Sequence, residues 1–284
     1  MLESLLARLR HYGSLVGAPP AATPFDERDP EFIAREIGLI GPILDAWYAP
    51  EVTGLENLPA GRALTVGTHN GGYLAPDMFA TMVAFWRQFG PDRPAYGLVH
   101  DLVFRVPLAG KWIARLGGVP ANPHNAAALL ERDVAVLVYP GGDRDAFKPY
   151  ARRHVVDFAG RMGFIRTALR ARAPIVPVVS VGAHEGMYIF TDGHDLAERL
   201  GLTARFRLDV LPIMLSLPFG LTVGATPYLP VPTRVRVRAL PAIDLGLPPE
   251  AADDAEAVRA AHDRVRVVMQ AGLDALVEEG GFGP

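Results

Sequence analysis

The sequence predicts an α/β fold: a mostly parallel central sheet flanked by helices, with N-terminal helices ahead of it and an apolar, Pro-rich segment late in the chain. Two observations predict it. Short apolar runs at 63–66, 95–99, 133–139 and 174–181 alternate with stretches of helical periodicity, the pattern of βαβ units. The runs ending at Tyr139 and Val181 are also almost wholly apolar instead of alternating, as suits strands covered on both faces.

Taken in order, residues 1–12 space Leu2, Leu5, Leu6 and Leu9 along one stripe of a short amphipathic helix, suited to a partner helix or to a membrane surface. Pro-rich residues 17–24 form a linker. A second helix over 29–48 sets Phe32, Ile33, Ile37, Ile40, Ile43 and Leu44 at helical spacing. Residues 1–53 thus read as an N-terminal helical segment and 54–284 as the α/β domain. Gly54 to Gly61 turns the chain into the strand at 63–66, and a helix over 77–89 stops at Gly90-Pro91. Further helices are expected at 108–116, 125–131 and 155–172, with 117–123 as a connecting loop.

The last third differs. Residues 210–233 carry no charge and are long enough to span a bilayer, but Pro212, Pro218, Pro227, Pro230 and Pro232 exclude one straight helix. A buried or membrane-facing loop is expected instead. Arg234 to Arg238 alternates with period two as a half-exposed strand. A final helix starts near Asp253, with Glu256 completing a capping-box-like start, and ends at Gly280.

Composition narrows the chemistry. The 284 residues suffice for one large domain or two small ones. Basic and acidic residues nearly balance, 28 against 31, so nothing points to nucleic acid. The absence of Cys removes disulfides, thiolate metal sites and a cysteine nucleophile, and agrees with a reducing compartment. Residues 1–11 alternate apolar and charged side chains, unlike a signal peptide. There is no G-x-x-x-x-G-K-[ST] loop and no H-E-x-x-H helix, and Val178 stands where a G-x-S-x-G elbow around Ser180 needs glycine. With four serines in the chain, a covalent acyl-enzyme is not expected. His100-Asp101 and His184-Glu185 lack metal-site spacing, so no metal is expected.

The chain is organised around residues 62–77. Thr68 and His69 stand at the C-terminal end of a strand, where ligands of open α/β sheets bind. Asn70, Gly71 and Gly72 form the turn, and Pro76 and Asp77 open the next helix. Two readings fit. The imidazole, with a carboxylate nearby, acts as a general base; or His69 caps backbone groups and Asp77 only starts the helix. The second candidate is Tyr139-Pro-Gly141-Gly142-Asp-Arg144-Asp145, again after a buried strand. Its glycines admit close backbone approach, and exposed N–H groups there suit an oxyanion or a phosphate. Arg144, Lys148, Arg152, Arg153 and His154 make the most basic stretch of the chain. That stretch fits the phosphates of a coenzyme or lipid head group, or simply a solvated basic face behind a tight turn. His184 follows a strand end as His69 does and is a candidate for the same cleft.

The order of these segments resembles the glycerolipid (phospholipid and glycerol) acyltransferase family over about 54–240, chiefly its monoacylglycerol and diacylglycerol acyltransferase branch. Gly54-Leu-Glu-Asn-Leu-Pro59 looks like the family's lead-in, and Thr68-His69-Asn-Gly-Gly with Asp77 like its catalytic block. Residues 104–122 hold the place of its second block, Tyr139 to Asp145 of its third, and Ile175-Val-Pro-Val-Val179 of its fourth. Two departures stand out. Seven residues separate His69 from Asp77, whereas the phospholipid-forming members space the pair more closely and would put the acid where Leu74 stands. Gly141-Gly142 replaces their Glu-Gly pair, as in the neutral-lipid branch, which speaks against glycerol 3-phosphate as acceptor.

The resemblance implies a glycerol-3-phosphate acyltransferase-like fold. It also implies transfer of a fatty acyl group from acyl-CoA or an acyl-carrier protein to a hydroxyl of a glycerolipid or other lipid alcohol. His69 is the expected base and Asp77 its partner. Asn70, Gly71, Gly72, Gly141, Gly142, Arg144, Lys148 and His184 are expected to bind substrate, with N–H groups near Gly71, Gly72 or Gly142 holding the oxyanion. No cofactor beyond the co-substrate is expected. The expected location is cytoplasmic, in peripheral contact with the inner face of the membrane. Two alternatives use the same fold: a non-catalytic lipid- or acyl-carrier-binding protein, favoured by the long His-to-Asp spacing, and a thioester hydrolase that uses water as acceptor.

Overall fold

The computed structural model describes residues 23–206, 208–224, 226 and 228–282. The helix expected at 1–12 and most of the 17–24 linker lie outside them. In chain order the first elements are α1 (Pro30–Tyr48), β1 (Glu51–Thr53), β2 (Ala63–Gly67), α2 (Pro76–Phe89) and β3 (Ala95–Val99). Then come α3 (Asp101–Phe104), α4 (Pro107–Arg115), β4 (Gly118–Pro120), α5 (Pro123–Glu131) and β5 (Ala135–Val138). The middle of the chain adds α6 (Gly142–Ala146), α7 (Gly163–Ala171), β6 (Ile175–Val181), β7 (Tyr188–Thr191), α8 (His194–Arg199) and α9 (Leu202–Phe206). The last elements are β8 (Ile213–Ser216), β9 (Gly220–Val223), β10 (Arg236–Ala239) and α10 (Ala255–Gly280).

The central sheet has the order β1-β10-β6-β2-β5-β3-β4. Strands β6, β2, β5, β3 and β4 run parallel. Strand β10 is antiparallel to β6 and carries β1 parallel to itself. The expected α/β architecture is therefore the observed one, with β2 between β6 and β5 and its carboxyl end centrally placed. Strand β2 needs apolar side chains on both faces. Ala63 meets α1, α2 and α4 through a cluster that includes Phe32, Ile33 and Trp86. Leu64 and Val66 face the opposite side, among Leu129 of α5, Ile165 of α7 and Val265 and Met269 of α10. Burying a Leu or Ile of this kind stabilises the fold by about 1.5–3 kcal/mol.

Several boundaries differ from the sequence reading, each for a local reason. The helix expected from 155 begins only at Gly163, because the Val156 N–H is taken by Gln270 Oε1 and the backbone at Ala159 and Gly160 turns left-handed (φ 53 and 71). Residues 118–120, read as loop, are an edge strand beside β3, and 51–53 supply β1. Residues 210–233 are loop only in part: within them β8 and β9 form a hairpin that joins β7 in a separate three-stranded antiparallel sheet. Its inner face packs Ile189 and Met214 on Ala146, Phe147, Met187 and Val210. No helix among the described residues is long and apolar enough to cross a membrane.

Helix α10 is capped by Asp254 rather than Asp253. Asp254 Oδ1 accepts from the Glu256 and Ala257 N–H groups at 2.9 and 3.3 Å, whereas Asp253 pairs with Arg170 at 2.7 Å. Asp254→Ala is expected to destabilise the fold by about 1 kcal/mol in chemical denaturation, and Asp253→Ala by less.

Candidate active site

Strand β2 ends at Gly67, where a Cβ would sit 2.3 Å from the Tyr139 ring. With no side chain there, Tyr139 comes across the strand end and lies 4.7 Å, centroid to centroid, from the His69 ring. Beyond His69 the backbone reverses. Gly71 and Gly72 take positive φ (83 and 64), Gly72–Leu74 make one 3-10 turn, and Ala75 (φ 43) leads into Pro76 at the start of α2. That turn absorbs the long spacing and brings Asp77 back beneath the histidine. His69 Nδ1 lies 3.2 Å from Asp77 Oδ2, which also accepts from the Asn70 N–H at 2.9 Å. An ionised carboxylate only accepts, so Nδ1 carries the proton and Nε2 presents its lone pair. The contact of the ring with Asp77 is made through Nδ1, and the His69 side chain keeps 17% exposure against 1% for Asp77.

The turn is braced from every side. Asn70 Nδ2 donates to Ser180 O and Oγ at 2.8 and 2.6 Å, and the Ser180 N–H donates to Thr68 Oγ1 at 3.2 Å. The Gly71 N–H donates to His184 Nδ1 at 3.3 Å. Tyr228 OH donates to Gly71 O at 2.8 Å and accepts from the Leu74 N–H at 3.1 Å. Below His69, its own N–H donates to Asp145 Oδ2 at 2.5 Å, and Asp145 Oδ1 pairs with Lys148 Nζ at 2.5 Å. Lys148 Nζ donates once more, to Val155 O at 3.2 Å. The Asp145 and Lys148 side chains are only 0% and 5% exposed.

Burial and charge compete here. Burial lowers the His69 pKa, but the Asp77 carboxylate beside it, helped by Asp145, outweighs burial and leaves the ring above its ordinary value. Burial and the nearby Lys148 cation push His184 far below the histidine range, so it stays neutral as an acceptor for Gly71. Burial raises the Asp145 carboxyl above its usual range even though Lys148 pulls the other way.

The structure thus brings His69 and Asp77 together and sends several other candidates elsewhere. Asn70 and His184 are buried braces, not groups displayed to a ligand. Lys148 is turned inward onto Asp145 rather than outward. Of the three expected oxyanion donors, the Gly71 N–H is held by His184 and the Gly142 N–H by Tyr139 O at 3.1 Å; no acceptor lies on the Gly72 N–H among the described residues. Gly141 serves close packing, since a Cβ there would meet Asp145 Cβ at 2.3 Å. Arg144 lies in a separate small cleft with Lys148, Arg152 and Asp157. The sequence reading passed over Tyr139, Asp145, Ser180 and Tyr228 as site residues. Tyr139 and Asp145 sat inside a motif already singled out, but Tyr228 carried no local signal. No group of three or more potential ligand side chains that would hold a metal occurs among the described residues.

Set beside known proteins, residues 49–181 match the family described as Acyltransferase. Residues 49–181 belong to the acyltransferase family. This acyltransferase domain contains both His69 and Asp77, and the braces Asp145 and Ser180. The chain is similar to an uncharacterized protein of Mycobacterium tuberculosis, 30% identical over 213 residues covering 74% of this chain and 56% of that one. It is also similar to the chloroplastic phytyl ester synthase 2 of Arabidopsis thaliana, 31% identical over 157 residues, 51% of this chain and 21% of that one. The chain thus spans about half, or less, of the length of these curated relatives. In fold, the chain resembles the crystal structure of the 1-acyl-sn-glycerophosphate acyltransferase PlsC from Thermotoga maritima. The TM-score is 0.51 and the identity 18%, over 87% of this chain and 81% of that one.

Proposed function

We propose that this acyltransferase moves a fatty acyl group from a CoA or carrier-protein thioester to the hydroxyl of a lipid alcohol, with His69 as general base. One observation carries the reading: an imidazole at the carboxyl end of β2, its Nδ1 held by a buried carboxylate and its side chain still 17% exposed. Nε2 takes the hydroxyl proton as the alcohol oxygen attacks the thioester carbonyl carbon. The tetrahedral oxyanion is assigned to the Gly72 N–H. The C–S bond then breaks, and the imidazolium returns the proton to the thiolate, leaving ester and free thiol. Asp77 stabilises the imidazolium between the two steps and fixes the tautomer that starts the first.

The acyl chain is assigned to a small apolar pocket between α2 and the sheet, lined by Leu55, Met82, Phe85, Trp86, Leu116 and Val178. Thr81 lines the pocket one helical turn after Asp77, and its hydroxyl donates to the Asp77 main-chain carbonyl at 2.7 Å. Gly141-Gly142, and the ester of a lipid alcohol in the name of the Arabidopsis relative, support an uncharged acceptor. Thiol release from an acyl thioester, measured with monoacylglycerol, diacylglycerol, lysophosphatidate or a long-chain alcohol, tests the proposal. Release is expected to require an acceptor and to be slowest with lysophosphatidate. Release indifferent to acceptor would make the chain a hydrolase, and none with any donor a binding protein.

A further inference from the structure

An antiparallel sheet with one face on a core ordinarily turns polar side chains outward. The β7–β9 sheet does the opposite. Inward it sends Ile189, Met214, Ser216 and Thr222, all buried. Outward it sends Phe190, Leu215, Leu217, Phe219, Leu221 and Val223, each between 51% and 66% exposed. These side chains form continuous rows, because Tyr188 pairs with Leu215 and Leu215 with Leu221 across the three strands. The turn of the hairpin carries Leu217 and Phe219 at its tip. No Asp, Glu, Lys or Arg occurs between Asp209 and Arg234. Contiguous apolar surface of this kind marks an interaction site rather than ordinary exposure.

We propose that the outer face of β7–β9 is a membrane-docking surface, seated in the uncharged interfacial layer of a lipid bilayer. Two observations select a lipid layer over a protein partner. A protein interface surrounds its apolar centre with a polar, charged rim, whereas hairpin tip and strands here form one charge-free surface. The same segment also reaches the catalytic turn. Tyr228 bonds to Gly71 and Leu74, and Tyr73 and Leu74, 46% and 45% exposed, are apolar side chains of the turn that follows His69. A bilayer seated on that segment is the phase in which lipid alcohols are dissolved. This last link rests on the acyl-transfer reading; the docking itself does not.

Co-sedimentation of the full chain with phosphatidylcholine vesicles tests it. The chain is expected to pellet with these neutral vesicles, and 0.5 M salt, as an order-of-magnitude screening condition, is expected to leave binding unchanged because no surface charge drives it. The triple variant Leu217→Glu, Phe219→Glu, Leu221→Glu is expected to lose at least about a hundredfold in partitioning. Serine at the same three positions tests the same loss without new charge. Thiol release with a short water-soluble alcohol is expected to stay at the unsubstituted level in both variants, while transfer to a vesicle-borne alcohol falls. Vesicle binding that survives both variants would overturn the proposal by placing the contact elsewhere, residues 1–22 included. An unsubstituted chain that stays in the supernatant would overturn it too; sedimentation velocity then shows whether a second copy covers the face, as a dimer that the variants dissociate. A chain that pellets as expected but releases no thiol from any donor would leave the docking standing and remove the acyltransferase reading alone.

Discussion

His69→Ala is expected to lower kcat for acyl transfer by about a hundredfold to ten-thousandfold with KM little changed, because only the proton transfer is lost. Turnover undiminished in that variant would end the base mechanism. The pH profile gives an independent check. In the proposed mechanism the working form is the free base, and the Asp77 carboxylate holds the ring above the ordinary histidine value of 6.5 against the opposing effect of burial. The rate should therefore fall as pH drops through an apparent pKa above 6.5, on the acid side of the profile. Asp77→Asn removes the negative charge, so the acid limb should move to lower pH while the maximal rate drops. An acid limb that stays in place would show that Asp77 does not act on the imidazole through its charge.

Lys148→Met should be the most destabilising single substitution near the site. It strands a fully buried carboxylate, Asp145, whose other partner among the described residues is the His69 N–H. Breaking a buried pair by removing one member costs about 3–5 kcal/mol, far more than an exposed pair would. The double variant Asp145→Asn with Lys148→Met should recover much of that loss in chemical denaturation, since no charge is then left unpaired. Failure to recover would mean that packing around the lysine stem matters more than its charge. Any activity still missing from the refolded double variant would report how strongly the Asp145 contact fixes the His69 backbone.

The parts of this fold that could be read from sequence are those whose cause is local. Strands β5 and β6 are apolar on both faces because helices cover both, and that leaves an unbroken run in the chain. Helix α1 announces itself through Asp29, whose Oδ1 accepts from the Phe32 N–H at 2.9 Å, followed directly by Pro30. Strands β1 and β4, three residues each, are too short to show any period. The site divides in the same way. His69 and the glycine turn lie in one segment, and their placement at a strand end follows from that segment alone. The inward turn of Lys148 does not, because it depends on Asp145 and on a backbone amide 76 residues earlier than that carboxylate. A basic residue in a basic stretch reads as solvated until that contact is known. The β8–β9 hairpin was hidden for another reason: its strands are four residues long, and its outward Leu215, Leu221 and Val223 are more apolar than the inward Ser216 and Thr222, so the alternation is brief and runs against the usual sense.

Tyr228 holds two neighbours of His69 at once, Gly71 through its carbonyl and Leu74 through its amide. Force applied to the uncharged strap between Asp209 and Arg234 therefore has a short mechanical route to the catalytic turn, with the phenol as its fulcrum. The posture of the imidazole and whatever presses on that strap are coupled through that hydroxyl and, by way of Val231 on Gly186, through the turn that carries His184.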